Sequence, residues 1–366
     1  MSFQKISLFL AVVFAFSIFA DAQTPTPTPD DTEKIFTEEI KLNVLAFDES
    51  GKFASGVNVE DLVIIEDGRI HQATSVRRIP ANVLIVLDVG NEIVGAKRNR
   101  ITSTAAIALV NSLQAEDSVA VMQYGDKVEF ISEWTTDKES LVPLLDEKKL
   151  GYGKRSVFNL ALETAFKFFQ KSPLENRHLI LITDGVDSFN DQKMRDSAVR
   201  NLLSSDINVH VVSYTILQQN AITPTTSVFR EGEPFPQRLP EAVILTLPKE
   251  QQAILRLPRL GSINTDREMI KRRKEEINKL KTSEEFLTKI AEDTNGEIFL
   301  PETKEEMFYK MAQVAKIIDA SYVVTYVPRR ALSEVSADEE RSIEVTAKRD
   351  GLQVLAKRKL FVSARK

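Results

Sequence analysis

The chain has 366 residues, 43% hydrophobic and 28% charged, a globular balance with room for two domains. A formal charge of -5 and a pI near 5.6 give no basic field for a phosphate backbone, which argues against nucleic acid as a partner and suits a cation better. The absence of cysteine excludes disulfides, thiol nucleophiles and thiolate metal sites.

At the N-terminus, Lys5 precedes an apolar run from Ile6 to Phe19, and Ala20-Asp21-Ala22 has the small-x-small form of a signal peptidase site. Residues 1–22 are therefore expected to be an export signal cleaved after Ala22. The run is short for a bilayer span, and no later segment approaches the roughly 20 apolar residues a span requires, so no transmembrane span is expected in the mature chain. Residues 23–33, opening QTPTPTPDD, read as a Thr/Pro linker of extended polyproline character. Export without cysteine points to a secreted, periplasmic or cell-envelope protein of bacterial type.

From Ile40 the apolar residues Ile40, Leu42, Val44 and Ala46 alternate with their neighbours, as in a half-buried strand. Strands over Leu62–Ile65 and Ile70–Val76 flank Glu66-Asp67-Gly68-Arg69, whose Asp-Gly pair signals a tight hairpin. After Pro80 the pattern changes: VLIVL at Val83–Leu87 is apolar on both faces, as expected of a strand inside a parallel sheet. Strands are predicted at 83–88, 118–124, 127–131, 177–183, 207–213 and 296–300, with helices near 97–113, 137–148, 157–171, 190–204, 283–294 and 303–319. This alternation predicts an α/β, doubly wound, Rossmann-like domain over residues 81–319 with a parallel central sheet. Residues 216–281, with six prolines from Pro224 to Pro258 and the charged stretch DREMIKRRKEEINKLK, read as an insertion ending in a solvated helix.

Strand signals return at Tyr322–Val327, Ile343–Ala347 and Leu352–Val362, the last two flanking the turn Arg349-Asp350-Gly351. Isolated hairpins are marginal in water, so residues 34–79 and 321–363 are expected to pack as one β-sandwich-like domain with the α/β domain inserted between them.

Open parallel sheets bind ligands beyond the carboxyl ends of their strands. Asp88-Val89-Gly90-Asn91-Glu92 follows the first strand, Thr183-Asp184-Gly185-Val186-Asp187 the fourth, and Gly151-Tyr152-Gly153-Lys154-Arg155-Ser156 lies between them. Carboxylates and a hydroxyl at one sheet edge are hard oxygen donors, suited to Mg2+, Ca2+ or Mn2+ and not to zinc or copper. Asp187 reads as a cap or loop residue.

These three segments, LIVLDVGNE, the glycine loop with Ser156, and LITDGVDS, resemble the metal-ion-dependent adhesion site of von Willebrand factor A (VWA) domains. LVIIEDGRIHQ before the domain and SYVVTYVP after it further resemble the bacterial von Willebrand A-related proteins known from Acidobacteria. The resemblance implies a metal site from Asp88, Ser156 and Asp184, completed by an acidic residue of a protein or extracellular-matrix partner. The family's first motif, Asp-x-Ser-x-Ser, is degenerate here, with Gly90 and Glu92 in place of its serines. Gly90 removes a hydroxyl that water can replace. Glu92 joins Asp88, Ser156 and Asp184 as an expected metal ligand, able to take the partner's coordination position itself, and its third carboxylate must be neutralised by a cation, a proton, or Lys154 or Arg155.

An enzyme is not expected. His71 lies in the β domain, His178 begins a buried strand and His210 sits inside one, so no general base is at hand for a hydrolytic triad. An exported adhesion protein using a divalent metal is the leading expectation; the alternatives are a structural envelope module with a decayed site and a metal-dependent hydrolase.

Overall fold

The computed structural model describes residues 38–90, 95–226, 229–230, 248–249, 252, 262–263 and 267–364. The expected export signal, the Thr/Pro linker, Glu92 and half of the proline-rich insertion lie outside the described residues.

Six strands form the central sheet: β5 (Asn82–Asp88), β6 (Ser118–Tyr124), β7 (Val128–Thr135), β8 (Arg177–Thr183), β9 (Asn208–Ser213) and β12 (Ile298–Phe299), in the order β12-β9-β8-β5-β6-β7. All pair in parallel except β7, which returns antiparallel to β6. β5 is buried along its whole length, and the pleat sends alternate residues to opposite faces. Val83, Ile85 and Leu87 pack against α1 (Gly95–Ser112) and α7 (Lys304–Asp319), through Ala105, Leu109, Met307 and Met311 among others. Leu84 and Val86 pack on the other face against α3 (Phe158–Gln170), α4 (Gln192–Leu203) and α6 (Arg267–Asp293), where Phe158, Leu162, Leu202 and Leu287 are buried. Burying a large apolar side chain such as Leu87 or Phe158 stabilises by roughly 1.5–3 kcal/mol, so packing on both faces anchors the strand. Asp191 and Thr303 fix the starts of α4 and α7 by accepting the Met194 and Glu306 amides.

A two-stranded ribbon pairs β10 (Phe229–Arg230) with β11 (Ser262–Ile263), and two four-stranded antiparallel sheets draw on both ends of the described chain. One runs β15 (Gln353–Leu355), β1 (Ile40–Phe47), β13 (Ser321–Tyr326), β4 (Ser75–Arg77); the other runs β16 (Lys357–Val362), β14 (Glu339–Ala347), β2 (Leu62–Glu66), β3 (Arg69–His71). Leu42, Ile64, Val324, Ile343 and Leu360 share one core between them, so the arrangement is a sandwich.

Asn176, just before β8, touches both points at which the chain crosses between sandwich and α/β domain. Its Nδ2 donates to Ile79 O (2.9 Å) on the way in, and its Oδ1 lies 3.1 Å from the Ser321 hydroxyl on the way out. Asn176 also ends a directed chain of polar groups. The Glu297 amide donates to His210 Nδ1 (3.3 Å), so His210 carries its hydrogen on Nε2 and donates to His178 Nδ1 (3.2 Å). His178 Nε2 then donates to Asn176 Oδ1 (2.9 Å). Both imidazoles are fully buried, and burial holds His210 down to about 4 and His178 well below the ordinary histidine value.

Several expected elements differ in extent. The strand expected at Ile70–Val76 is two, β3 and β4, and that expected at Leu352–Val362 is also two, β15 and β16; in each case the chain crosses from one sheet to the other. The helix expected at 283–294 begins at Arg267, absorbing the charged stretch; it is not wholly solvated, since Ile270 and Leu280 are buried. The helix expected at 137–148 is a single turn, α2 (Lys138–Leu141), followed by a 3-10 turn at Val142–Leu144. Strand β7 continues to Thr135, well past the expected 131, and is antiparallel at the sheet edge.

Candidate functional site

Parallel pairing of β5 with β8 sets Leu87 opposite Ile182, so Asp88 and Thr183 end neighbouring strands and Asp184 follows directly. The Thr183 hydroxyl donates to Asp88 Oδ2 (3.2 Å). A hydroxyl has one hydrogen, so the 2.5 Å contact between Thr183 Oγ1 and Tyr124 OH has the tyrosine as donor, and the Gly185 amide donates to the same Oγ1 at 2.7 Å. Asp88 Oδ1 accepts the Gly90 amide (2.9 Å). Asp88 and Thr183 are fully buried, and Asp184 nearly so.

Asp184 is held from three sides. Its Oδ1 accepts the Val186 amide (3.0 Å), its Oδ2 accepts Gln218 Nε2 (3.1 Å) from α5 (Thr215–Ile222), and its carbonyl accepts the Ser283 hydroxyl (2.5 Å) from α6. The next residue must be glycine: Gly185 has φ +68°, and a Cβ there would meet Ser283 Oγ at 2.7 Å and Leu287 Cδ1 at 2.8 Å.

The glycine loop is fastened to the β6–β7 turn. Gly153 donates to Val89 O (3.2 Å), the Lys154 and Arg155 amides donate to the Asp126 carboxylate (3.1 and 2.9 Å), and Gly151 donates to Gln123 Oε1 (2.8 Å). Ser156 is next. Its amide donates to Ser188 Oγ and its carbonyl accepts the Ser188 amide, both at 2.8 Å, which ties it to the loop after Asp184. Its own Oγ is buried and has no hydrogen-bond partner. A Cβ added at Gly90 would lie 3.1 Å from Ser156 Cβ and 2.5 Å from Arg155 O.

The geometry thus gathers Asp88, Asp184 and Ser156 on three adjoining turns at the carboxyl edge of the sheet. Thr183, Tyr124, Gln218 and Ser283 join them there, although sequence reasoning singled out none of the four. Thr183 stood inside the LITDG segment and was legible only as the end of a strand. Asp187 has the expected capping role: its Oδ2 accepts the Asn159 amide (3.0 Å) at the start of α3, and its Oδ1 accepts those of Phe189 and Asn190. The Arg155 guanidinium lies over the Phe189 ring, 5.5 Å from its centroid, and among the described residues makes no ion pair with Asp88 or Asp184. Neutralisation of those carboxylates by Arg155 is therefore not what the structure has. His71, His178 and His210 lie in the sandwich and the interior of the sheet, away from this edge.

The donors suit a hard divalent cation. Asp88 and Asp184 present carboxylate oxygens, and the Ser156 Oγ is a buried polar atom without a partner. Among the described residues no group of three or more His, Cys, Asp or Glu side chains could hold a metal, and the oxygen donors described at this edge are the Asp88 and Asp184 carboxylates and the Ser156 hydroxyl.

Residues 83–186 match the family model of the von Willebrand factor type A domain. No curated protein matches the chain. Among solved structures it is similar to the conserved hypothetical protein BatB from Bacteroides thetaiotaomicron, at 16% identity over 65% of this chain and 98% of that one, with a TM-score of 0.39. It is similar to a von Willebrand factor type A protein from Catenulispora acidiphila at 10% identity over 90% of this chain and 74% of that one, with a TM-score of 0.42. It is also similar to the manganese-loaded TRAP protein of Plasmodium vivax, at 11% identity over 90% of this chain and all of the other, with a TM-score of 0.37.

Proposed function

Residues 83–186 belong to a von Willebrand factor type A domain, and on that premise we propose that the chain is an exported, non-enzymatic binding protein that engages another protein or a matrix ligand through the carboxyl edge of its six-stranded sheet. In this reading Asp88, Asp184 and the Ser156 hydroxyl hold a divalent cation, Mg2+, Mn2+ or Ca2+. The observation that carries it is the buried Ser156 Oγ, lacking a partner beside two buried strand-end carboxylates. Such a hydroxyl costs free energy unless something binds it.

When bound, the cation supplies positive charge to the two carboxylates and an acceptor position for an oxygen of the partner. The chain's own residues do the rest. Thr183 and the Gly90 amide fix both oxygens of Asp88, Gln218 and the Val186 amide fix those of Asp184, and the Asp126-anchored loop holds Ser156. Gly90 brings no hydroxyl, and magnesium retains water readily in such a position. Export rests on the N-terminal signal pattern; among the described residues no helix is long and apolar enough to cross a membrane.

Thermal melts of wild type and Asp184→Ala in millimolar Mg2+, Mn2+ or Ca2+ and in chelator test this reading, because a ligand bound only by the folded state raises stability by mass action. The expected result is a chelator-reversible rise in wild type and none in the variant. Equal rises in both would remove these residues from metal binding, and no rise in either would leave a structural envelope module.

A further inference from the structure

The segments LVIIEDGRIHQ and SYVVTYVP have no part in the carboxyl edge of the sheet, yet they meet at one end of the sandwich. The hairpin between β2 and β3 brings Glu66, Asp67 and Arg69, the chain leaving β13 brings Arg329 and Arg330, and β14 brings Arg341; together with His71 they line a cavity of about 240 Å3. No sequence pattern announces this convergence, because the residues lie more than two hundred positions apart.

The acidic groups there are already engaged. Glu66 Oε1 accepts Arg341 Nη1 (2.9 Å) and its Oε2 lies 3.3 Å from His71 Nε2. Glu339, behind the cavity, accepts Arg341 Nε (2.8 Å) and pairs with Arg330. Asp67 Oδ1 accepts the Ser342 amide (2.8 Å). The cations are less completely matched. Arg69 and Arg329 are exposed and make no ion pair among the described residues. Arg341 is 2% exposed, and its Nη2 has no hydrogen-bond partner.

A chain of net charge -5 thus sets four guanidiniums round one cavity, two of them without a counter-charge. Guanidinium forks recognise oxyanions through paired, charge-assisted hydrogen bonds, and a cavity of this size admits a single group and not a drug-sized molecule. We propose that this cavity binds a dianionic phosphoryl group, free or carried on an ester, with Arg69 and Arg329 supplying the compensating charge. The Glu66–Arg341–Glu339 network holds the lining in shape. The proposal is independent of the metal edge.

Titration calorimetry of the folded chain with inorganic phosphate and with glycerol 3-phosphate, at ionic strength fixed by chloride, tests the assignment. Wild type and Arg100→Ala, a remote exposed arginine, should bind saturably and alike. The double variant Arg69→Ala/Arg329→Ala should bind at least about tenfold more weakly, since each lost fork removes a charge-assisted contact, while melting in chloride like wild type because both side chains are exposed. Tighter binding of glycerol 3-phosphate would identify an esterified source, and equal or tighter binding of phosphate a free anion. Absence of saturable binding of either compound, or undiminished affinity in the double variant, would overturn it.

Discussion

Gly90 and Arg155 are in backbone contact across the two turns, so close that a Cβ on Gly90 would stand 2.5 Å from the Arg155 carbonyl oxygen. The serine usual at this place in the resembling family is therefore excluded by the loop it would serve. Restoring it as Gly90→Ser should push the glycine loop outward and destabilise the fold by about 1–3 kcal/mol, the usual range for overpacking. It should also reduce any cation-induced rise in melting temperature. Denaturant unfolding with and without Mg2+ would show both effects; a variant of wild-type stability with a stronger metal response would contradict them.

Ser156→Ala separates a structural hydroxyl from a ligand. In chelator, deleting a buried hydroxyl that has no partner should leave stability unchanged or raise it by up to about 1 kcal/mol. In millimolar Mn2+ the order should reverse, with wild type the more stable. A loss of stability in chelator as large as that in metal would mean that the hydroxyl serves the fold alone.

Gln218 reaches Asp184 Oδ2 from α5, at the start of the segment read from sequence as an insertion. Gln218→Leu should leave melting in chelator within about 1 kcal/mol of wild type, since it removes one partly buried hydrogen bond, while weakening the metal response severalfold by freeing one carboxylate oxygen. An unchanged metal midpoint would show that the contact only ties α5 down.

The His178–His210 pair fixes a pH dependence. Both imidazoles are neutral when folded, with His210 at about 4 and His178 well below its usual value, whereas the unfolded chain takes up protons near 6.5. Their contribution is complete above about pH 6.5 and declines as pH falls toward 4, because the unfolded state binds more protons there. His210 alone accounts for a loss of roughly 3 kcal/mol over that window. Denaturant unfolding at pH 7 and pH 4.5 measures it, and His210→Gln should flatten the slope. A stability independent of pH between those points would show that the pair is not held neutral.

The doubly apolar strands of the central sheet were legible because β5, β6, β8 and β9 are buried on both faces and carry no alternation to misread. The sheet crossings at residues 72–74 and at Ala356 were not, because the alternation of inward and outward residues runs straight through them and only the partner strands change. The start of α6 was hidden by its charges, since a few buried residues such as Ile270 and Leu280 anchor its first half. At the carboxyl edge, Asp88, Ser156 and Asp184 were visible as residue types following strands. Thr183 and Gln218 act through side-chain contacts spanning 95 and 34 positions, and no local pattern records such a distance.

Asn176 has a consequence for how the sandwich can assemble. β1 must find β13, pairing Ile40 with Tyr326, and β4 must find the same strand, so neither has a strand partner until the end of the chain appears. Closing a flexible loop of the intervening length would cost about 5 kcal/mol in chain entropy. Asn176, bonded to Ile79 O on one side and close to the Ser321 hydroxyl on the other, holds the entry and exit of the α/β domain together once that domain has folded. Folding of the central domain therefore turns a search across the whole polypeptide into a local one, and the sandwich should close only after its insert is complete.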